Sequence, residues 1–110
     1  MDPIDSSTSE EICTISRLNR EVRYLLEGTF PLVWVEGEIS NFTQPNSGHW
    51  YFSLKDEVAQ VRCAMFRTQN RRLNFTPKDG THVFAKARVS LYEGRGDFQL
   101  LIEHLSLIHI

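Results

Sequence analysis

The segment His49-Trp50-Tyr51-Phe52-Ser53-Leu54-Lys55-Asp56-Glu57-Val58-Ala59-Gln60-Val61-Arg62-Cys63-Ala64-Met65-Phe66 carries the clearest structural pattern in the chain. Apolar side chains alternate with polar or aromatic ones at a period of two, which predicts strands over His49–Lys55 and Val58–Phe66 joined at Asp56-Glu57. A hairpin closing there sets Trp50 against Cys63 and Phe52 against Val61 on one side. The same register sets Tyr51 against Arg62 and Ser53 against Gln60 on the other. One side is wholly apolar and the other mixed, as in an antiparallel sheet with one face in water.

Working outward, a second hairpin is predicted over Thr81–Tyr92 and Asp97–Leu107, turning at Glu93-Gly94-Arg95-Gly96. Pairing Tyr92 with Asp97 places Leu91 opposite Phe98, Val89 opposite Leu100, Ala87 opposite Ile102 and Lys86 opposite Glu103. Upstream, Val33, Val35, Gly37 and Ile39 alternate with Trp34, Glu36, Glu38 and Ser40, a first strand with Gly37 as its expected bulge or bend. Thr43-Gln44-Pro45-Asn46-Ser47-Gly48 is a polar loop, and Arg67–Phe75 has room for a helical turn ending before Pro77. Before the sheet, Ile15, Leu18, Val22, Leu25 and Leu26 form one apolar stripe at helical spacing. Ser16 is the expected N-cap, Gly28 the C-terminal stop, and Pro31 bars continuation. Such a helix must dock on something else. One helix and five strands, the first of them bent, indicate a mainly β fold: a five-stranded oligonucleotide-binding (OB) barrel preceded by an N-terminal amphipathic α-helix. Barrels of this kind usually carry a helix between the third and fourth strands. Here that connector is short, and the longer helix precedes the first strand.

At 110 residues the chain fits one domain. A core of this size needs no disulfide or metal staple. Cys13 and Cys63 form no CxxC or zinc spacing, which points to a reducing, cytoplasmic compartment. No apolar run approaches the roughly 18 residues of a membrane span. Net charge is −2, yet its distribution is uneven: residues 1–38 carry eight acids against three bases, and residues 39–78 carry six bases against two acids. Every charged residue from Val58 to Lys78 is positive, namely Arg62, Arg67, Arg71, Arg72 and Lys78. A polyanion responds to such a local field rather than to the sum.

No catalytic constellation is legible. His49, His82, His104 and His109 share no metal-ligand spacing with a cysteine or carboxylate. Cys63 falls on the apolar face and reads as packing. Glu36 and Glu38 share one face of the first strand without a third acid to complete a site. Glu93-Gly94-Arg95-Gly96 is turn chemistry and not a phosphate loop. What remains is a binding surface. Tyr51, Arg62 and Phe66 sit on the mixed face of the first hairpin, with His49 and Ser53 beside them. Asn41, Phe42, Asn46 and Ser47 lie at the first loop, and Tyr92 and Arg95 at the last turn. Rings interleaved with arginines suit single strands, because bases stack on the rings and the cations hold phosphate. On this reading Arg62, Arg67, Arg71, Arg72 and Arg95 contact phosphate, and Tyr51, Phe42, Phe66 and Tyr92 are candidate stacking rings.

These residues also carry a resemblance. Ser16-Arg17-Leu18-Asn19, Val35-Glu36-Gly37-Glu38-Ile39-Ser40-Asn41-Phe42, Ser47-Gly48-His49-Trp50-Tyr51-Phe52-Ser53-Leu54-Lys55-Asp56 and Gln60-Val61-Arg62-Cys63-Ala64-Met65-Phe66-Arg67 closely resemble the N-terminal domain of the exodeoxyribonuclease VII large subunit. Val89-Ser90-Leu91-Tyr92-Glu93 and Arg95-Gly96-Asp97-Phe98-Gln99-Leu100 fit the same pattern, over about residues 12–105. The resemblance implies a single-stranded-DNA-binding OB domain placed ahead of a longer nuclease domain. It further implies a bacterial, cytoplasmic enzyme that degrades single-stranded DNA from either end without divalent metal. That enzyme assembles with a small helical subunit through a region C-terminal to these residues. No cofactor, metal or catalytic residue is expected in this piece. Residues 1–12 are expected to be a flexible tail. Ser106-Leu107-Ile108-His109-Ile110 departs from the family's pattern, so residues 108–110 are expected to be a truncation or vector-encoded tail. The first three strands also resemble anticodon-binding OB domains of class II tRNA synthetases, which leaves an RNA-binding module as the alternative. A protein-interaction module is the third reading.

Overall fold

A computed structural model describes residues 12–109. The tail expected over residues 1–12 lies, except for Ile12, outside the described residues. The elements run α1 (Ile15–Thr29), β1 (Val33–Thr43), β2 (Trp50–Lys55), β3 (Gln60–Met65), α2 (Arg67–Asn70), β4 (His82–Tyr92) and β5 (Asp97–Leu107). The strands close into a barrel in the order β1-β2-β3-β5-β4, so the expected five-stranded barrel with its preceding helix is the observed fold. Inside lie Ile39, Trp50, Phe52, Leu54, Cys63, Met65, Val83, Ala85, Ala87, Val89, Leu100, Ile102 and Leu105. Alternation accounts for most of these; Leu105 joins them because a bulge shifts the end of β5 by one residue.

Strand β1 is long because it serves two partners. Its first half pairs with β4, from Val33↔Ala87 to Glu38↔His82. Its second half pairs with β2, from Glu38↔Lys55 onward. Gly37 stands at the changeover, where a Cβ would come within 3.1 Å of the Lys55 carbonyl oxygen. The glycine is therefore required for close backbone approach. The bulge expected there falls instead between Ser40 and Thr43, where Asn41 adopts a positive φ of 54°. Asparagine tolerates that left-handed geometry better than most residues.

The β2–β3 hairpin keeps its predicted faces but not its predicted partners. Phe52 faces Cys63, Ser53 faces Arg62 and Leu54 faces Val61, a slip of two residues from the expected pairing. The cause is the turn. The Asp56 carboxylate accepts hydrogen bonds from the Val58 and Ala59 amides, each at 2.9 Å, and the Asp56 amide donates to the Ala59 carbonyl. Four residues are thus consumed in the turn, and Val58, predicted to begin a strand, stands 92% exposed. The two amide donors hold the Asp56 carboxyl below its ordinary pKa. In the β4–β5 hairpin the predicted pairs from Tyr92↔Asp97 to Ala87↔Ile102 all form. Beyond them a bulge intervenes, so Lys86 faces His104 and not Glu103. Glu103 instead pairs with Arg88 at 3.0 Å.

Thr14, not Ser16, caps α1: its hydroxyl accepts from the Arg17 amide at 3.1 Å. The helix packs on β4 with Leu26 against the core, but it is rotated away from its apolar stripe. Ile15 and Leu25 remain 73% and 68% exposed. The half-buried face is instead Asn19, Val22, Arg23, Leu26 and Glu27, and its polar members are bonded to β4 and the turn that follows it. The helical turn expected within Arg67–Phe75 is α2, and it packs at the end of the barrel. Buried Asn70 donates to the carbonyls of Gly48 at 2.9 Å and Met65 at 3.3 Å, and Leu73 and Phe75 pack below.

Two outcomes follow from this packing. Burial pushes the Cys63 thiol up to about 12, while Cys13 is exposed. A thiol reagent at pH 8 should therefore label Cys13 alone, with Cys63 reacting only after unfolding. Below the free thiol's 9.0 stability is untouched by this group, and it falls as pH rises toward 12 because only the unfolded chain then ionises. Gly37→Ala should lower the denaturation midpoint, at a cost of about 1–3 kcal/mol, because the neighbour that must give way is backbone.

Candidate nucleic-acid interface

The bulge at Asn41 determines which side chains reach the outer surface. Along β1 odd-numbered residues point inward up to Ile39, and the extra residue inverts that order. Asn41 and Thr43 consequently line a groove on the outside, while the Phe42 ring turns inward. Phe42 meets Trp50 edge-on with centroids 5.5 Å apart and stacks on Phe52 at 6.2 Å. Its backbone amide donates to the Asp79 carboxylate at 2.9 Å. Phe42, expected among the stacking rings, is half-buried and packs against the barrel end.

The groove has a volume of about 450 Å³ and runs between β1, β2, β3 and the β4–β5 turn. It gathers five of the predicted residues: Asn41, Tyr51, Arg62, Tyr92 and Arg95. Thr43, Phe52, Ser53, Cys63 and Gln99 complete the lining, and no carboxylate is among them. Tyr51 and Arg62 both point outward. They are diagonal neighbours and not the directly opposed pair expected, since Tyr51 faces Ala64 and Arg62 faces Ser53. Thr43 escaped the sequence reading because the first strand was expected to stop at Ser40. Gln99 enters only because β3 runs parallel to β5, with Arg62 beside Gln99, and no local pattern announces that pairing. Across the groove the Arg95 guanidinium lies 5.3 Å from the Tyr92 ring centroid, so the cation is held against an aromatic face.

A line of rings continues from Tyr51 away from the turn. His49 meets Tyr51 edge-on at 6.5 Å and Phe66 at 5.3 Å. The His49 Nδ1 accepts the Arg67 amide at 3.0 Å, which leaves the proton of the neutral ring on Nε2. The Arg67 side chain packs over Gly48, where a Cβ would meet its Cδ at 3.1 Å and where φ is +84°. His49, Phe66 and Arg67 therefore extend the groove toward α2. Arg71 and Arg72 are exposed further along, with Arg71 in a separate recess at the barrel end beside Gln44 and Asn70.

Ion pairing sorts the cations. Several cations away from the groove are paired: Arg23 with Glu27 at 3.4 Å and with Glu93, Lys55 with Glu38 at 3.6 Å, and Arg88 with Glu103 at 3.0 Å. Among the described residues no carboxylate pairs with Arg62, Arg67, Arg71 or Arg72, and only Arg95 has one, Asp97 at 3.5 Å. A solvent-exposed pair of that length is weak and exchangeable. Four arginines without a carboxylate partner thus stand along or at the end of the ring-lined path.

Known proteins bear on this geometry. The model of a family described as OB-fold nucleic acid binding domain matches residues 13–106. The exodeoxyribonuclease 7 large subunit of Enterobacter sp. (strain 638) is 59% identical over 100 residues, covering 91% of this chain and 22% of that protein. The match falls on its N-terminal OB-fold region, so the chain spans about a fifth of the length of this relative. Among solved structures, a putative aspartyl-tRNA synthetase from Leishmania major Friedlin superposes with a TM-score of 0.58 at 16% identity, over 96% of this chain and 22% of that one. The second OB-fold domain of replication protein A from Methanococcus maripaludis gives 0.53 at 12% identity, over 73% and 86% respectively. At such identities these two establish the fold alone. The chain belongs to the OB-fold nucleic-acid-binding domain family and is homologous to the exodeoxyribonuclease VII large subunit.

Proposed function

We propose that this domain grips single-stranded DNA for an exodeoxyribonuclease large subunit, with phosphodiester hydrolysis carried out by the remainder of a longer polypeptide. One observation supports the reading above the others: a groove lined by rings and arginines without a carboxylate, in a molecule whose net charge is −2. Arg62 and Arg67 would contact phosphates, with Arg95 exchanging Asp97 for the strand. Tyr51 and Tyr92 would stack on bases, and His49 and Phe66 would carry the strand toward Arg71 and Arg72. Stacking is indifferent to base identity, so selectivity among sequences should be weak.

The partner proposed beyond DNA is a small helical subunit bound outside these residues. The proposed compartment is the cytoplasm, in keeping with two free thiols. No helix among the described residues is long and apolar enough to cross a membrane.

Fluorescence anisotropy with labelled dT oligomers at two salt concentrations tests the reading. Arg62→Ala and Arg67→Ala should each weaken binding evenly across sequences and reduce the salt slope by about 0.7. If both bind as the parent does with unchanged slope, the groove is not the DNA site. Tyr51→Ala should cost roughly 1–3 kcal/mol of binding with the fold intact. Phe42→Ala should chiefly lower the melting temperature, by an amount corresponding to about 2–4 kcal/mol, since its ring packs on the core. Competition by RNA oligomers of equal length should be weaker than by DNA; preference for RNA would favour an anticodon-binding type of domain.

A further inference from the structure

The groove depends on a glycine-containing turn that helix α1 also touches. Glu93-Gly94-Arg95-Gly96 contains two glycines, one of them at φ +68°. Internally it is closed by the Arg95 and Gly96 amides donating to the Tyr92 carbonyl at 3.2 and 2.8 Å. Glycines widen the range of conformations such a turn samples. Yet Tyr92 and Arg95, which flank and occupy it, form one wall of the groove.

Helix α1 reaches across to this turn. The Asn19 side-chain amide donates to the Glu93 carbonyl at 2.9 Å, and the Arg23 guanidinium binds the Glu93 carboxylate. Arg23 is itself steadied by Glu27 one turn on, at 3.4 Å. Glu27 in turn accepts a hydrogen bond of 2.6 Å from the hydroxyl of Ser90, a residue only 1% exposed on β4. Gly96 completes the seat, since a Cβ there would lie 3.3 Å from the Asn19 amide nitrogen. The helix is therefore bolted to β4 at Ser90 and to the turn at Glu93, by polar groups on the face it turns inward.

We infer that α1 is a positioning element of the groove, with Asn19 and Arg23 acting through Glu93 to hold Tyr92 and Arg95 where a strand meets them. None of the four helix and anchor residues, Asn19, Arg23, Glu27 and Ser90, lines the groove. Their contribution is preorganisation: a turn already ordered loses less freedom when ligand binds. The inference rests on the groove being the single-strand site, and it explains why α1 sacrifices burial of Ile15 and Leu25 to present a polar face inward.

A double-mutant cycle in dT-oligomer affinity tests it, using Arg23→Ala, Arg95→Ala and the combined variant. Arg23→Ala should weaken binding by about 2- to 30-fold. Arg95→Ala should cost much less in that background than in the parent, because Arg23 works through the same turn. Arg23→Lys, which keeps the charge facing Glu93, should restore most of the affinity. Additive losses, or no loss with Arg23→Ala while Arg62→Ala still weakens binding, would overturn the inference and leave the groove assignment standing. Amide hydrogen exchange without DNA supplies the independent arm. In Arg23→Ala and Asn19→Ala, residues 93–97 should exchange faster while the β2–β3 hairpin stays protected. Unchanged exchange at the turn overturns the inference whatever the binding result. If Arg62→Ala and Tyr51→Ala leave affinity unaltered, it is the groove assignment that fails, and the exchange result then decides alone whether α1 holds the turn.

Discussion

Closure of the sheet upon itself is the constraint from which the site derives. Two antiparallel hairpins could have lain apart as open ribbons with unpaired edges. Instead β3 and β5 run parallel for three rungs, Arg62↔Gln99, Cys63↔Leu100 and Ala64↔Leu101, and the barrel has no free edge there. The middle rung is buried, with Cys63 and Leu100 both in the core, so apolar packing inside supports the seam between strands that are not neighbours in sequence. Outside, the same rungs bring Arg62 alongside Gln99 and within one groove of the β4–β5 turn. Without that seam the rings of the first hairpin and the cation of the second would have no common surface.

Much of this was readable from alternation, and the exceptions have definite causes. A strand's side chains repeat every second residue, so faces can be correct while partners are not. The slip in the β2–β3 hairpin is of this kind, since a displacement of two preserves inside and outside. Its origin is the affinity of the Asp56 carboxylate for two amides, which fixes a four-residue turn where two were expected. The bulge beside Lys86 differs: its one-residue shift inverts the rest of β5 and brings Leu105 into the core opposite Ala85, while the pairs nearer the turn keep their places.

Asn41 is the more consequential case. Periodicity placed both it and Phe42 near the site, but a single residue at positive φ inverts the order, sending asparagine out and phenylalanine in. The parallel seam was invisible for another reason, because it joins segments with no shared turn and no compositional mark. Charge was half legible. The run of basic residues after Val58 stands out along the chain, whereas the neutralisation of Arg23, Lys55 and Arg88 by distant or cross-strand acids is a property of the folded molecule. A net anion can present a cationic path because its arginines there stand without carboxylates in the groove lining.

The docking of α1 also bears on the order in which the domain can be built. The helix is made before its partners: Asn19 and Glu93 are separated by 74 positions and Glu27 and Ser90 by 63. A lone helix of 15 residues is marginal in water; its N-cap adds about 1 kcal/mol and its i,i+4 pairs only tenths of a kcal/mol each. During synthesis α1 therefore gains its tertiary support only once the β4–β5 hairpin exists to receive it. The groove is complete only when these distant segments of the domain have met.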